Sequence, residues 1–367
     1  MALDPVDILK TAVAAHRAGQ PEQAAVLYRQ ALPGLDDIEF RRHCLLWLAT
    51  ALSDSGEREA AVATCRASID LDPAQPAGFV TLAGMLLDLG RLDEAAAATR
   101  AALDLQPDDT ATLNMAAHIA LAQRAAAEAA RHAEATLARN PADQRALSLL
   151  ALALIQLGRD DAVARLLDFE RLLQIGELAP PPGAGSPQSF GAALAEAVAT
   201  RAELDRRHLG KTMVGGARLH DAFVIDPPLA EAMHQAFFAA ASGYAERLAV
   251  DPDHPVARAR PSELRLISWA NIVEAKDFEL PHIHDGSWIS GVYYPEMPPE
   301  TGDPDAGAIE FGGHDFGDAL ALAGPTRRLR PRPGTLVMFP AYFYHRTIPF
   351  AGAGRRISIA FDVRLAP

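Results

Sequence analysis

The sequence predicts a multidomain chain of helices and strands: an N-terminal all-α solenoid, then a β-rich domain of sandwich or jelly-roll type with supporting helices. Three observations carry that prediction. A 34-residue period runs from about residue 10 to about residue 170. A Pro/Gly/Ser-rich break, Leu178-Ala-Pro-Pro-Pro-Gly-Ala-Gly-Ser-Pro-Gln-Ser189, interrupts it. From about residue 262 the apolar residues alternate in short runs separated by Gly and Pro. A chain of 367 residues exceeds what one compact core usually holds, so two domains are expected. The boundaries that follow are 1–177 for the helical repeats, 178–189 for a linker and 190–367 for the β-rich domain.

The repeat is legible residue by residue. Gly56-Glu-Arg-Glu-Ala-Ala61 aligns with Gly90-Arg-Leu-Asp-Glu-Ala95 at an offset of 34, and the same offset carries Gly90 to Arg124 and Arg124 to Gly158. It also carries Pro73 to Pro107 and to Pro141. An earlier unit, around Gly19, sits 37 residues before Gly56. Each unit fits two helices. Glycine takes the turn conformation that other residues disfavour, a small residue marks the helix crossing, and proline ends the second helix. A helix–turn–helix period of this length with these marks resembles the tetratricopeptide repeat. Stacked repeats of that kind form a curved groove, which implies a peptide or protein partner. Arg124 stands where the pattern expects glycine.

Composition narrows the function classes. A net charge of −13 speaks against nonspecific nucleic-acid binding, which needs a basic surface. Cys44 and Cys65 lie in helical stretches and are expected to be buried free thiols. No apolar run approaches the roughly 18 residues of a membrane span, and no secretory signal pattern is visible, so a soluble cytoplasmic protein is expected. His16, His43, His118 and His132 lack metal-ligand spacing and read as packed or solvated side chains.

In the second half, 190–206 and 227–249 read as helices. Strand-like runs follow at 263–272, 288–294, 307–311, 334–339, 344–348 and 356–363. His282 and His284 are two apart on a short strand and face the same way. His345 lies far along the chain, and Arg356 comes eleven residues after it. Two histidines on one strand and a third on another can converge inside a barrel, the kind of constellation that holds oxygen-activating iron. Arg356 and Ser358 again share a face, where a guanidinium and a hydroxyl suit a carboxylate. Tyr294 can donate to the same group.

These residues sit in ordered motifs: Trp269-Ala-Asn271, His282-Ile-His284, Ser290-Gly-Val-Tyr-Tyr294, Gly307-Ala-Ile-Glu-Phe311, Phe339-Pro-Ala-Tyr-Phe-Tyr-His345 and Arg356-Ile-Ser-Ile-Ala-Phe361. In that order they resemble the 2-oxoglutarate- and Fe(II)-dependent oxygenase superfamily, in a bacterial and phage branch distant from prolyl hydroxylases. The resemblance implies a double-stranded β-helix, His282 and His345 as iron ligands, Arg356 as the 2-oxoglutarate anchor and Tyr294 as its helper. It implies Fe(II), 2-oxoglutarate and O₂, with hydroxylation of a substrate C–H bond.

The chain departs from the superfamily at the residue two after the first histidine, where an acid is usual and His284 stands. Three readings stay open: His284 completes a three-histidine site, Asp285 reaches the metal through a local turn, or two histidines act with water or in a site without redox activity. Rival functions are a noncatalytic interaction module, a three-histidine dioxygenase without 2-oxoglutarate, and a small-metabolite hydroxylase. His314-Asp315 reads as a solvated loop, Arg355 as a surface charge, His234 as surface or packing, and Trp269 and Trp288 as core; for His220 a place near the pocket mouth is the lesser of the readings.

Overall fold

The computed structural model describes residues 4–201, 203–206, 212–300, 302–314 and 324–365. It divides into two compact units, Met1–Thr136 and Leu137–Pro367. The sequence placed the end of the repeats at residue 177; residues 137–177 cluster instead with the sheet-bearing unit.

The first unit is built of antiparallel helix pairs: α1 (Pro5–Arg17) with α2 (Pro21–Ala31), α3 (Ile38–Asp54) with α4 (Arg58–Leu71), α5 (Pro76–Asp88) with α6 (Leu92–Leu105), then α7 (Thr110–Ala122) and α8 (Ala126–Arg139). Proline in the first turn starts α1, α2 and α5, where its missing N–H is not needed. Asp37 and Asp109 cap α3 and α7 by accepting backbone N–H bonds. The small residues at the repeating position, Ala24, Ala61, Ala95 and Ala129, are fully buried. Gly56 and Gly90 turn with φ of 86° and 70°, and Arg124 adopts the same left-handed conformation at 61°. The closing bonds match as well: Glu57 N–H to Leu52 O at 2.8 Å and Ala125 N–H to Ala120 O at 2.8 Å. The repeat frame therefore imposes the turn on an arginine. Cys44 and Cys65 are buried, and burial pushes both thiols up to about 12.

The second unit opens with α9 (Gln144–Gln156), α10 (Asp160–Leu166) and α11 (Phe169–Leu172). A strand that the sequence reading missed follows, β1 (Gln174–Glu177), and it pairs with β9 (Thr335–Pro340). The expected linker is partly ordered: Leu178 continues that ladder through Gly334 O, and Ser186 with Ser189 forms a capping box that starts α12 (Pro187–Ala199). Next come β2 (Met213–Val214), β3 (Ala217–Leu219), α13 (Pro227–Leu248), α14 (Pro255–Arg258), β4 (Leu266–Val273), β5 (Phe278–Glu279), β6 (Ser287–Glu296), β7 (Ile309–Phe311), β8 (Arg327–Leu329), β10 (His345–Thr347) and β11 (Arg356–Arg364).

An antiparallel six-stranded sheet runs β1-β9-β6-β11-β4-β3, and a three-stranded sheet runs β10-β7-β8. Phe311 of the smaller sheet meets Phe339 of the larger one edge to face at 4.9 Å. This pair of antiparallel sheets is consistent with a jelly roll. Helices cover the other face of the large sheet: Phe237 of α13 stacks on Phe361 at 4.4 Å, and α12 approaches so closely at Gly191 that a Cβ there would meet the Tyr293 hydroxyl at 2.6 Å. Among the described residues no helix is long and apolar enough to cross a membrane.

Candidate metal centre

Three histidines predicted from sequence meet in the second unit. His282 and His345 are joined by an isolated antiparallel bridge, each N–H donating to the other's carbonyl at 3.0 Å. His284 is held by its own N–H to Ala341 O at 3.0 Å. The segment is thus not the regular strand expected from the sequence: Pro281 has no N–H to give a ladder, and a single bridge replaces it. The side chains still converge. One ligand nitrogen from each of His282, His284 and His345 lies within 4.8 Å of the other two.

The opposite ring nitrogens are all engaged. Nδ1 of His282 bonds Leu280 O at 2.7 Å, Nδ1 of His345 bonds Phe343 O at 3.0 Å, and Nδ1 of His284 bonds Asp362 Oδ1 at 2.8 Å. Because those partners accept, Nδ1 carries the proton in this network, which leaves the Nε2 lone pair as each ring's metal-binding atom. Burial, then the neighbouring His282 and His284, holds His345 well below the ordinary histidine range. His282 is also lowered, chiefly by burial. For His284 burial works in the same direction, but the Asp362 charge and hydrogen bond outweigh it and raise its pKa. His282 and His345 are held neutral, and His284 can exchange an Nε2 proton for a metal while Asp362 keeps its Nδ1 proton in place. Imidazole lone pairs of this kind are what a divalent transition metal binds, so this donor set fits such an ion.

Asp285 does not join the cluster. Its side chain is 61% exposed and pairs with Arg145 at 3.4 Å. The acid behind the histidines is Asp362, which sequence reading missed. Buried on β11, it accepts from His284 Nδ1, from Ser287 Oγ at 2.7 Å and from Ser290 Oγ at 2.7 Å. A signal was available: Asp362 is six residues after Arg356 on the same strand, so both face one way.

That face holds the remaining predicted residues. Arg356 is 1% exposed, bonds Gly307 O at 3.4 Å through Nη1, and its Nε has no hydrogen-bond partner among the described residues. Burial raises the Tyr294 hydroxyl far above its ordinary value, and the Arg356 charge opposes that rise. Ser358 is buried opposite Asn271 of β4. A second group was also missed. Glu279 accepts from Asn271 Nδ2 at 3.1 Å and from Arg218 Nη2 at 3.4 Å, and its charge acts on His282, His284 and Tyr294. An open cavity of about 310 Å³ adjoins the cluster, lined among others by Arg218, Trp269, His282, His284 and Asp362.

Trp269 is therefore a cavity wall, edge-on to His284 at 5.4 Å, and not the core residue expected. Trp288 is core, its Nε1 donating to Val256 O. Exposed His220 pairs with Asp205 at 3.4 Å. Arg355 is held by Glu296 at 2.9 Å. His234 packs between Phe223 and Phe238. Of the glycine-rich loop, His314 is described, and Asp315 to Gly317 lie outside the described residues.

Comparison with known proteins agrees with this reading of the two halves. Residues 267–362 match the family described as "Putative 2OG-Fe(II) oxygenase", and residues 43–75 and 78–109 match the tetratricopeptide repeat. No curated protein matches the chain. Among solved structures, a tetratricopeptide repeat protein from Parabacteroides merdae ATCC 43184 is 14% identical with a TM-score of 0.43, covering 45% of this chain and 65% of its own. MamA from Desulfovibrio magneticus RS-1 is 15% identical with a TM-score of 0.41, covering 47% and 97%. A thermophilic repeat protein of Thermus thermophilus is 19% identical with a TM-score of 0.36, covering 44% and 87%. The chain carries a tetratricopeptide-repeat region and, C-terminal to it, a domain of that oxygenase family.

Proposed function

We propose that this chain, with its repeat region and oxygenase domain, is an Fe(II)- and 2-oxoglutarate-dependent hydroxylase of a peptide or protein side chain. The observation that carries the reading is the convergence of the His282, His284 and His345 ligand nitrogens, with every Nδ1 already bonded elsewhere. His282, His284 and His345 would hold the metal. When bound, Fe(II) supplies with 2-oxoglutarate and O₂ the oxidising power for attack on a C–H bond.

The protein's own part is binding and exclusion. Arg356 is buried, its Nε without a partner among the described residues, beside the Tyr294 hydroxyl and on the face of Ser358. A buried donor without a partner is uncommon in proteins, and a dicarboxylate's distal carboxylate would complete it. A three-histidine dioxygenase that uses no 2-oxoglutarate would have no such requirement. Val292, Val337 and Phe339 alternate onto the same sheet face and keep it poor in water. Helical repeats offer a docking surface, which makes a peptide or protein the proposed substrate and partner. The acidic charge suits work in the cytoplasm, away from nucleic acid and membrane.

The test is an anaerobic titration with Fe(II) and 2-oxoglutarate, following the visible metal-to-ligand charge-transfer band. A band is expected in wild type, lost in His345→Ala, and in Arg356→Ala requiring much more 2-oxoglutarate. Absence of the band from folded, metal-replete wild type sinks the assignment.

A further inference from the structure

We infer that Asp362 is the displaced carboxylate of this metal site: it acts through His284, as a positioning residue, in place of a carboxylate on the metal itself. The inference rests on the three-histidine reading above. A two-histidine, one-carboxylate site brings one negative charge to the metal; three neutral imidazoles bring none. Here one imidazole has a carboxylate directly behind it. Asp362 Oδ1 lies 2.8 Å from His284 Nδ1, which leaves Nε2 as the ring's metal-binding nitrogen.

The surroundings make this a built arrangement. Ser290 Oγ donates to Oδ1 and Ser287 Oγ to Oδ2, each at 2.7 Å. With the His284 bond, both carboxylate oxygens are engaged and the group cannot rotate without breaking one contact. Ser290 Oγ is also 2.8 Å from His284 Nδ1, so the ring is fixed from two sides. The two hydroxyls satisfy the carboxylate's hydrogen bonds but bring no charge to it. A carboxylate buried to 3% exposure demands a compensating cation, and along these bonds the His284 ring is the group that can carry one, as a proton when no metal is bound or as a metal at Nε2. With the metal bound, the carboxylate fixes the tautomer and makes the ring a stronger donor. Asp285, the acid nearest in sequence, is turned to Arg145 instead.

The probe is Co(II) alone, added to the full-length metal-free protein, with affinity read by titration and ligand geometry by the visible d–d absorption. Asp362→Asn, which keeps the shape and the serine contacts, is expected to lower Co(II) affinity by about 10- to 100-fold and to change the spectrum. Asp285→Asn is expected to leave both as in wild type. Ser287→Ala is the milder companion should Asp362→Asn fold poorly: it removes one contact, leaves the His284 bond, and is expected to weaken affinity less while shifting the spectrum the same way. Wild-type affinity and spectrum in folded Asp362→Asn, or in Ser287→Ala where that stands in, overturns the inference; so does a loss that follows Asp285→Asn. Failure of wild type to bind Co(II) is a different result: it brings down the three-histidine reading itself.

Discussion

Along β11, Phe361 stacks on Phe237 of α13, and Ile357, Ile359 and Val363 share its face; Arg356, Ser358 and Asp362 share the opposite face, where Asp362 lines the cavity beside the histidines. Both sets are buried. The alternation that usually marks a strand with one wet face marks here a strand with two dry faces of different purpose. On the helix side, every contact is made by the protein itself. On the cavity side the polar groups are only partly answered: Asp362 has its donors, whereas the Arg356 Nε has none among the described residues. A third case sharpens the contrast. Glu310 of β7 is also buried, but Arg346 at 2.6 Å and Arg328 complete it across the strands. The Glu310 cluster is closed on itself, whereas the unpartnered Arg356 Nε marks a place kept for a ligand.

The largest effect should fall on the helix side. Phe361→Ala removes a ring stacked on Phe237 and should cost about 3–5 kcal/mol in chemical denaturation of the sheet-bearing unit. If it cost no more than a surface change, the two faces would not differ as argued. On the cavity side, Arg356→Met should leave stability within about 1 kcal/mol, since an incompletely paired buried guanidinium contributes little. The same variant should bind 2-oxoglutarate roughly 10- to 100-fold more weakly by calorimetry on Mn(II)-loaded protein, the loss of charged hydrogen bonds.

Glu310→Gln should behave in the opposite way, with about 1–2 kcal/mol of destabilisation and no change in 2-oxoglutarate binding. The figure is modest because both arginines are nearly half exposed. Burial would raise the Glu310 pKa, but the bonds and charges of Arg346 and Arg328 together outweigh it and lower it. A depressed folded value means that the stabilisation is present above the unfolded value of about 4.3 and is lost as pH falls through the folded one. The stability gap between wild type and Glu310→Gln should therefore close on acidification below about pH 4. The smallest effect lies away from both faces. Arg124→Gly should stabilise the repeat unit by about 1 kcal/mol, because glycine adopts the left-handed turn without penalty; a loss of stability would show that the arginine side chain carries the turn.

What the sequence disclosed depended on the range of the determinant. The repeat was legible because glycine, alanine and proline recur in phase, each with a local reason. The alternation in 356–363 located β11, and the spacing of His282, His284 and His345 indicated the cluster. Strand β1 was hidden, because its partner β9 is more than 150 residues away and its own four residues carry no alternating pattern. The choice between His284 and Asp285 was equally nonlocal. It turns on Arg145 and Asp362, one before and one well after the motif. Arg218 escaped because the short strand β3 brings it to Asn271 from 53 residues away, and Glu279, only eight residues from Asn271, escaped because the two-residue strand β5 carries no legible pattern.

The most direct single measurement is a crystal structure of the full chain grown anaerobically with Fe(II) and 2-oxoglutarate, with anomalous data collected at the iron edge. The account predicts one strong iron peak ligated by Nε2 of His282, His284 and His345, Asp285 still on Arg145, and Arg356 on the distal carboxylate of 2-oxoglutarate. An iron peak ligated by Asp285 in place of His284, or no iron at the three histidines, would contradict it.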